Sequence, residues 1–157
     1  MALEIERKFL LKDDSWRSPR KEGINYIQGY FSGGEGYTMR VRLSAKNDAC
    51  LTIKSKAKGI TRHEYEYQIP VEDARELLDN FCQQPLIEKI RYGIDYKGHT
   101  FEVDEFLGAN QGLIICEVEL EREDEQFACP SWLGKEVTDD KRYYNVYLAQ
   151  NPYTLWK

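Results

Sequence analysis

The 157-residue chain has no run approaching the ~18 apolar residues that cross a bilayer, no excess of basic residues, and no cysteine spacing of the kind that holds a metal. Each absence removes a class of protein. Without a long apolar run, and with charge beginning at Glu4, the sequence predicts neither a signal peptide nor a membrane anchor. A formal net charge of −5 has the wrong sign for sequence-independent nucleic-acid binding, which needs a basic face. A highly anionic ligand would have to meet a local concentration of positive charge or bring metal ions with it. The four cysteines, Cys50, Cys82, Cys116 and Cys129, lie in apolar or mixed segments and read as reduced thiols of a cytoplasmic protein. There is no repeat, low-complexity tract or sign of a second domain, so residues 1–157 read as one domain long enough to bury a core.

What is present is aromatic and charged. Eleven tyrosines and six phenylalanines favour β structure. The opening stretch Leu3-Glu4-Ile5-Glu6-Arg7-Lys8-Phe9-Leu10, if extended, puts Glu4, Glu6 and Lys8 on one face and Leu3, Ile5 and Phe9 on the other. A loop follows through Pro19 to Gly23. The same alternation then predicts strands at 24–32, 37–44, 49–56 and 61–69, joined at Gly33-Gly34-Glu35-Gly36, Lys46-Asn47-Asp48 and Lys58-Gly59. Pro70 opens a helix over 71–82, with Val71, Ala74, Leu77, Leu78 and Phe81 on one stripe. Further strands are predicted at 86–96, 99–107 and 113–121, then short helices at 123–129 and 139–150, with a dispensable tail over 151–157. The fold class expected is mainly β, α+β: an eight-stranded antiparallel barrel with a few flanking helices.

The polar faces of these strands are nearly pure charge. Glu4, Glu6, Glu64, Glu66, Glu102, Asp104, Glu117 and Glu119 recur with Lys8, Arg40, Arg42, Lys54, Lys56, Lys89 and Arg91, mostly in i, i+2 pairs. Two carboxylates about 4 Å apart repel by roughly 4 kcal/mol at an effective dielectric near 20, so such pairs crowd only with help. A divalent ion with oxygen ligands at about 2.1 Å supplies it. Acid pairs on the first and last strands would make one metal site if those strands lie close together. The pairs Arg40/Arg42 and Lys89/Arg91 would complement it as a cradle for several phosphates. The alternative is an open sheet whose charged side is simply wet, its ion pairs worth about 0–1 kcal/mol each. Whether Leu3, Ile5, Val41, Ile53, Tyr65, Val103 and Val118 face inward, or outward under helices and a partner, separates the two readings.

Glu4-Ile5-Glu6-Arg7-Lys8 resembles the ExExK signature that opens the CYTH family, the triphosphate tunnel metalloenzymes. The resemblance continues in order through Gln28-Gly29-Tyr30, Arg40-Val41-Arg42, Thr52-Ile53-Lys54, Glu64-Tyr65-Glu66, Glu88 to Tyr92, Glu102-Val103-Asp104, Glu117 to Leu120 and Glu136 to Tyr143. It implies a β-tunnel with a charged interior that binds a triphosphate and one or two divalent ions, Mg²⁺ or Mn²⁺. Glu4, Glu6, Glu117 and Glu119 are the metal ligands it implies first, with Asp104, Glu64 and Glu66 as further or water-mediated ones. It gives Lys8, Arg40, Arg42, Lys54, Lys89, Arg91, Lys141 and Arg142 to the phosphates, the last two delivered by a C-terminal helix across one mouth. A Tyr30–Lys89 pair is one candidate proton acceptor, Tyr30 sharing strand parity with Gln28; the alternative is that Tyr30 only packs or hydrogen-bonds a phosphate. The implied reaction is hydrolysis of inorganic triphosphate to pyrophosphate and phosphate. Adenylate cyclase, thiamine-triphosphatase and non-catalytic polyphosphate-binding functions are the alternatives, and an outward apolar face would invite homodimerisation.

Overall fold

Period-two alternation requires each strand to bury one face, and the chain meets the requirement by closing its sheet on itself. The computed structural model describes residues 2–19, 21–32 and 35–156. Arg20 of the first loop, Gly33 and Gly34 of the first predicted turn, and Lys157 of the predicted tail lie outside them. The strands are β1 (Leu3–Leu11), β2 (Ile24–Tyr30), β3 (Tyr37–Ser44), β4 (Ala49–Ser55), β5 (Thr61–Gln68), β6 (Ile87–Tyr96), β7 (His99–Phe106), β8 (Ile114–Glu119) and a short β9 (Leu133–Glu136). They neighbour one another in the order β5-β4-β3-β2-β6-β7-β8-β1-β9. β1 returns to β5 through Leu3↔His63, Glu4↔Arg62 and Ile5↔Thr61, which completes the antiparallel eight-stranded barrel.

Local chemistry fixes the turns and the late addition of β9. Lys97 and Gly98 have φ of 46° and 87°, a two-residue hairpin turn whose twist matches β6 and β7. In β9, a Cβ on Gly134 would stand 2.7 Å from the Leu10 carbonyl oxygen. Glycine there lets β9 lie along the second half of β1, where the register slips between Phe9 and Leu11.

The outer surface carries most of the apolar core. Phe9, Phe101, Val103, Cys116 and Val118 are covered by Trp16, Leu120, Trp132 and Leu133. Val41 and Leu43 are covered by helix α1 (Val71–Asn80) through Ala74 and Leu78. Leu3, Tyr65 and Tyr67 on the same outer face stay exposed. A third cluster lies on the inner face. Ile87, Phe106 and Ile115 alternate in phase with the charged positions of their strands and pack with Tyr30 and Leu113 at one end of the barrel. Helix α2 (Asn145–Gln150) closes that end with Leu148 and Ala149.

Three expectations need correction. Residues 123–129 are a turn and an extended segment, because Phe127 packs edge-on against Phe9 and Phe101 and draws the chain along the wall. The helix expected over 139–150 is a 3-10 turn (Lys141–Tyr143) followed by α2. The break comes where the Asp140 side chain accepts from the Arg142 amide and Tyr144 turns extended with ψ of 138°. The segment after Pro152 is packed: Trp156 meets Tyr143, Tyr147 and Tyr153, and the Tyr153 amide donates to Asn110 Oδ1 at 2.8 Å.

Leu148 is fully buried in the closed end, so Leu148→Ala should cost about 2–5 kcal/mol. Tyr67→Ala, at an exposed position, should stay within about 0.5 kcal/mol. Urea unfolding midpoints check both, and a Leu148→Ala midpoint equal to wild type would remove α2 from the core.

Candidate active site

Alternation decides which side chains the barrel encloses, and the charged set is inside. A cavity of about 280 Å³ is lined by seven acids and seven bases: Glu4, Glu6, Glu64, Glu66, Glu102, Glu117 and Glu119 with Lys8, Arg40, Arg42, Lys54, Arg62, Lys89 and Arg91. Tyr30, Thr38, Thr52, Tyr144, Asn145 and Val146 complete its wall. Val41, Val103 and Val118 are fully buried outside it, which excludes the open wet sheet. Glu66 and Glu119 are exposed where the cavity meets solvent, and α2 stands at the opposite end.

Two kinds of charge share this cavity. Some are paired: Lys54 Nζ lies 2.8 Å from Glu4 and 3.4 Å from Glu64, and Lys8 Nζ lies 3.3 Å from Glu117. Arg91 reaches Glu102 at 3.2 Å and Glu117 at 3.6 Å. Beneath them Asp104, fully buried, takes Arg91 through both oxygens at 2.7 and 2.8 Å and Lys89 Nζ at 3.0 Å. Others have no carboxylate within ion-pair distance among the described residues: Arg40, Arg42 and Arg62. Arg40 lies against the Tyr30 hydroxyl and its buried Nε has no hydrogen-bond acceptor. Arg42 stacks on Tyr26 at 5.0 Å and Arg62 on Tyr144 at 5.5 Å.

The acids crowd along β1 and β8, where Glu6 stands directly opposite Glu119 and Lys8 opposite Glu117. Burial, then the charges of Glu117 and Glu4, hold the Glu6 carboxyl well above its usual range. Burial and the charges of Glu4 and Glu102 raise Glu119. Glu4 and Glu64 share a hydrogen bond. Burial and that bond push Glu64 up to about 7, while Glu4 is held well below its usual range because that bond and Lys54 outweigh its burial. Glu117 also stays low, since Lys8, Arg91 and Lys89 outweigh its burial. Burial brings Lys89 down to about 7 against the pull of Asp104, with Arg91 adding to the depression.

The sequence-derived candidates divide accordingly. Glu4, Glu6, Lys8, Tyr30, Arg40, Arg42, Lys54, Glu64, Glu66, Lys89, Arg91, Glu117 and Glu119 meet in one cavity. Asp104 lies behind the wall with both oxygens engaged. Lys141 and Arg142 are exposed and do not line the cavity; Arg142 is turned onto Asp140 at 2.6 Å, because the broken helix points it away. No hydrogen bond joins Tyr30 to Lys89 among the described residues. Tyr30 accepts from Gln28 at 3.4 Å, and Lys89 donates to Asn145. No three His, Cys, Asp or Glu side chains converge on one point among the described residues. The carboxylates of β1 and β8 nonetheless form an all-oxygen donor set, the kind that suits Mg²⁺ or Mn²⁺, and their mutual repulsion is the strain such an ion relieves. Arg62 and Asn145 are additions to the candidates, and Glu102, placed on the charged face by alternation but given no role, also lines the cavity. Arg62 shares the parity of Glu64 and was legible from alternation; Asn145 gave no signal, since its place depends on the break before α2.

The comparisons agree with the geometry. The CYTH domain matches residues 2–147. The chain is 46% identical over 157 residues to a protein named inorganic triphosphatase from Acetivibrio thermocellus, covering 100% of this chain and 99% of that one. It is 37% identical over 150 residues to an inorganic triphosphatase from Nitrosomonas europaea, covering 93% and 96%. A solved structure described as the inorganic triphosphatase NE1496 superposes with a TM-score of 0.67 at 35% identity, covering 95% of each chain. A charged barrel interior that spans the matched residues, and full-length likeness to these proteins, give one conclusion: the chain belongs to the CYTH domain family.

Proposed function

We propose that this protein is a phosphoanhydride hydrolase that converts inorganic triphosphate and water to pyrophosphate and phosphate inside the barrel. The observation that carries the reading is the set Arg40, Arg42 and Arg62, without carboxylates at ion-pair distance among the described residues, in a cavity whose β1 and β8 strands concentrate carboxylates. The buried Nε of Arg40 without an acceptor is the mark of an anion site. Arginine forks suit phosphate oxygens bidentately, and Lys8 adds a point charge beside them. The full-length likeness to proteins named inorganic triphosphatase supports the same substrate.

Seven acids line the cavity with seven bases, and wherever the acids are ionised they repel a polyanion that arrives alone. Mg²⁺ or Mn²⁺ on Glu4, Glu6, Glu117 and Glu119 would change that, neutralising charge on the transferred phosphoryl group and acidifying a bound water. Asp104 is read as a counter-ion for Lys89 and Arg91 rather than a ligand, and Glu64 as the proton-sharing partner of Glu4. Lys89, near neutrality at about 7, is the proton acceptor we assign for the attacking water. Tyr30, set between Arg40 and Gln28, donates to a phosphate oxygen.

Purified protein should release phosphate from inorganic triphosphate with Mg²⁺ or Mn²⁺, stop on chelation, and make no cyclic AMP from ATP. Tight binding without turnover, or cyclisation of ATP, overturns the assignment. Removing one charge-assisted phosphate contact costs about 1.5–3 kcal/mol, so Arg40→Ala should raise KM for triphosphate roughly 10- to 100-fold. Arg142→Ala, outside the cavity, should stay within about twofold of wild type by the same reasoning. Equal effects of the two would put the phosphates elsewhere.

The raised carboxyls set a pH dependence. Glu64, pushed up to about 7, is largely protonated in the metal-free fold at pH 6, and Glu6 is raised in the same direction; the stability contributed by the Glu64 proton is full below the usual carboxylate range and is lost as pH rises through about 7. Metal must displace those protons. Divalent affinity should therefore climb between about pH 6 and 8, with proton release seen by titration calorimetry in buffers of different ionisation heat. Affinity that is flat across this range would mean that the crowded carboxylates are not the ligands.

A further inference from the structure

Lys89 is held by more than its own strand. An amine nitrogen has three directions besides its bond to carbon, and two of them are spoken for here. Asp104 Oδ2 stands 3.0 Å from Nζ, and Asn145 Oδ1 accepts from Nζ at 3.0 Å. Asp104 belongs to the adjacent strand β7, but Asn145 is the first residue of α2 and comes from the closed end of the barrel. Its Oδ1 also accepts from Gln28 Nε2 at 3.0 Å. Gln28 is fully buried, reaches the Tyr30 hydroxyl at 3.4 Å through the same Nε2, and leaves its own Oε1 without a partner among the described residues. One amide oxygen thus ties β2 and β6 together at the point where Tyr30 and Lys89 enter the cavity.

The tether is itself anchored. Leu148 and Ala149 fix α2 in the apolar end, while Tyr144 lies over Lys8 at 5.2 Å and donates its hydroxyl to the Thr138 carbonyl at 2.9 Å. Asn145 is only 8% exposed, so water does not readily replace it. An aspartate in its place would supply the same oxygen, but with a second negative charge at Lys89 and in the path of a phosphate. An asparagine supplies the acceptor alone.

We propose that Asn145 is a positioning residue for the hydrolysis: it fixes the Lys89 nitrogen on one side, as Asp104 does on the other, and leaves the third direction for the attacking water or the phosphate it approaches. This rests on the reading that Lys89 serves triphosphate hydrolysis in this cavity. Misplacing a reacting group by about 1 Å can cost on the order of 100-fold in rate, so Asn145→Ala should lower kcat for triphosphate by about 10- to 100-fold with little change in KM.

The test compares kcat and KM for inorganic triphosphate, with Mg²⁺ or Mn²⁺, in wild type, Asn145→Ala, Asn145→Asp and Gln28→Leu. Asn145→Asp keeps the acceptor and should recover most of the lost kcat while raising KM through charge repulsion. Gln28→Leu loosens the shared oxygen and should lower kcat in the same direction as Asn145→Ala, which keeps the test open if the alanine variant fails to fold. Unchanged kcat in Asn145→Ala, or in Gln28→Leu where the alanine variant does not fold, overturns the proposal. So does a loss confined to KM, which would make Asn145 a simple phosphate contact, or equal loss in the alanine and aspartate variants. If the wild type itself does not turn over triphosphate, the assigned reaction falls, and the wild-type assay alone reveals it; failure of the present inference leaves the wild-type rate intact.

Discussion

Asp104 is a buried carboxylate with two cations on it, and the inward-facing charge of the barrel depends on that arrangement. Its two oxygens take Arg91 as a fork and Lys89 as a third contact, with no exposure to solvent. A buried ion group of this kind is tolerated only when its hydrogen-bonding capacity is met, and breaking one side leaves an uncompensated charge. The apolar residues of β7 on either side of Asp104, Val103 on the outer face and Phe106 at the closed end, are buried as completely. The strand can therefore alternate between an oily exterior and an ionic interior without exposing either. This inversion of the usual small barrel is what makes an enclosed charged cavity available to a chain of net negative charge.

Inside, some of the charges are paired and others are not. Acids crowd where β1 meets β8 and recur on β5 as Glu64 and Glu66, while the cations without partners are Arg40 and Arg42 of β3 and Arg62 of β5, which stands opposite Glu4 in register. Lysines sit between the two groups: Lys54 holds Glu4 and Glu64, and Lys8 holds Glu117. Paired lysines lower the cost of keeping carboxylates in the wall before any ligand arrives. Unpaired arginines do the opposite, since a guanidinium cannot shed its proton and has to wait for an anion. The cavity thus holds settled pairs beside charges still waiting for a partner, and a phosphate chain carrying divalent ions complements both sets at once.

Most of this was legible because a strand repeats every two residues and charge is easy to follow along it. Glu4, Glu6 and Lys8, or Arg40 and Arg42, point where alternation says they must. What escaped the sequence lies where a second contact overrides the local pattern. The acidic stretch around Phe127 reads as helix, yet one phenylalanine docking on Phe9 and Phe101 outweighs the weak helix preference of its neighbours. β9 has four residues and a glycine, too little pattern to recognise. A continuous helix would carry Lys141 and Arg142 over the cavity, whereas the short turn that Asp140 caps stops at Tyr144, whose extended backbone breaks the helix. The same break delivers Tyr144 and Asn145 instead, residues with no charge to draw the eye.

Ile87, Phe106 and Ile115 under α2 fill one end of the barrel with apolar side chains. A vessel entered only from the other end would order its traffic by geometry: whichever phosphate went in first would lie deepest. A long linear polyphosphate would be taken by its tip and shortened from that tip, never cut in its middle.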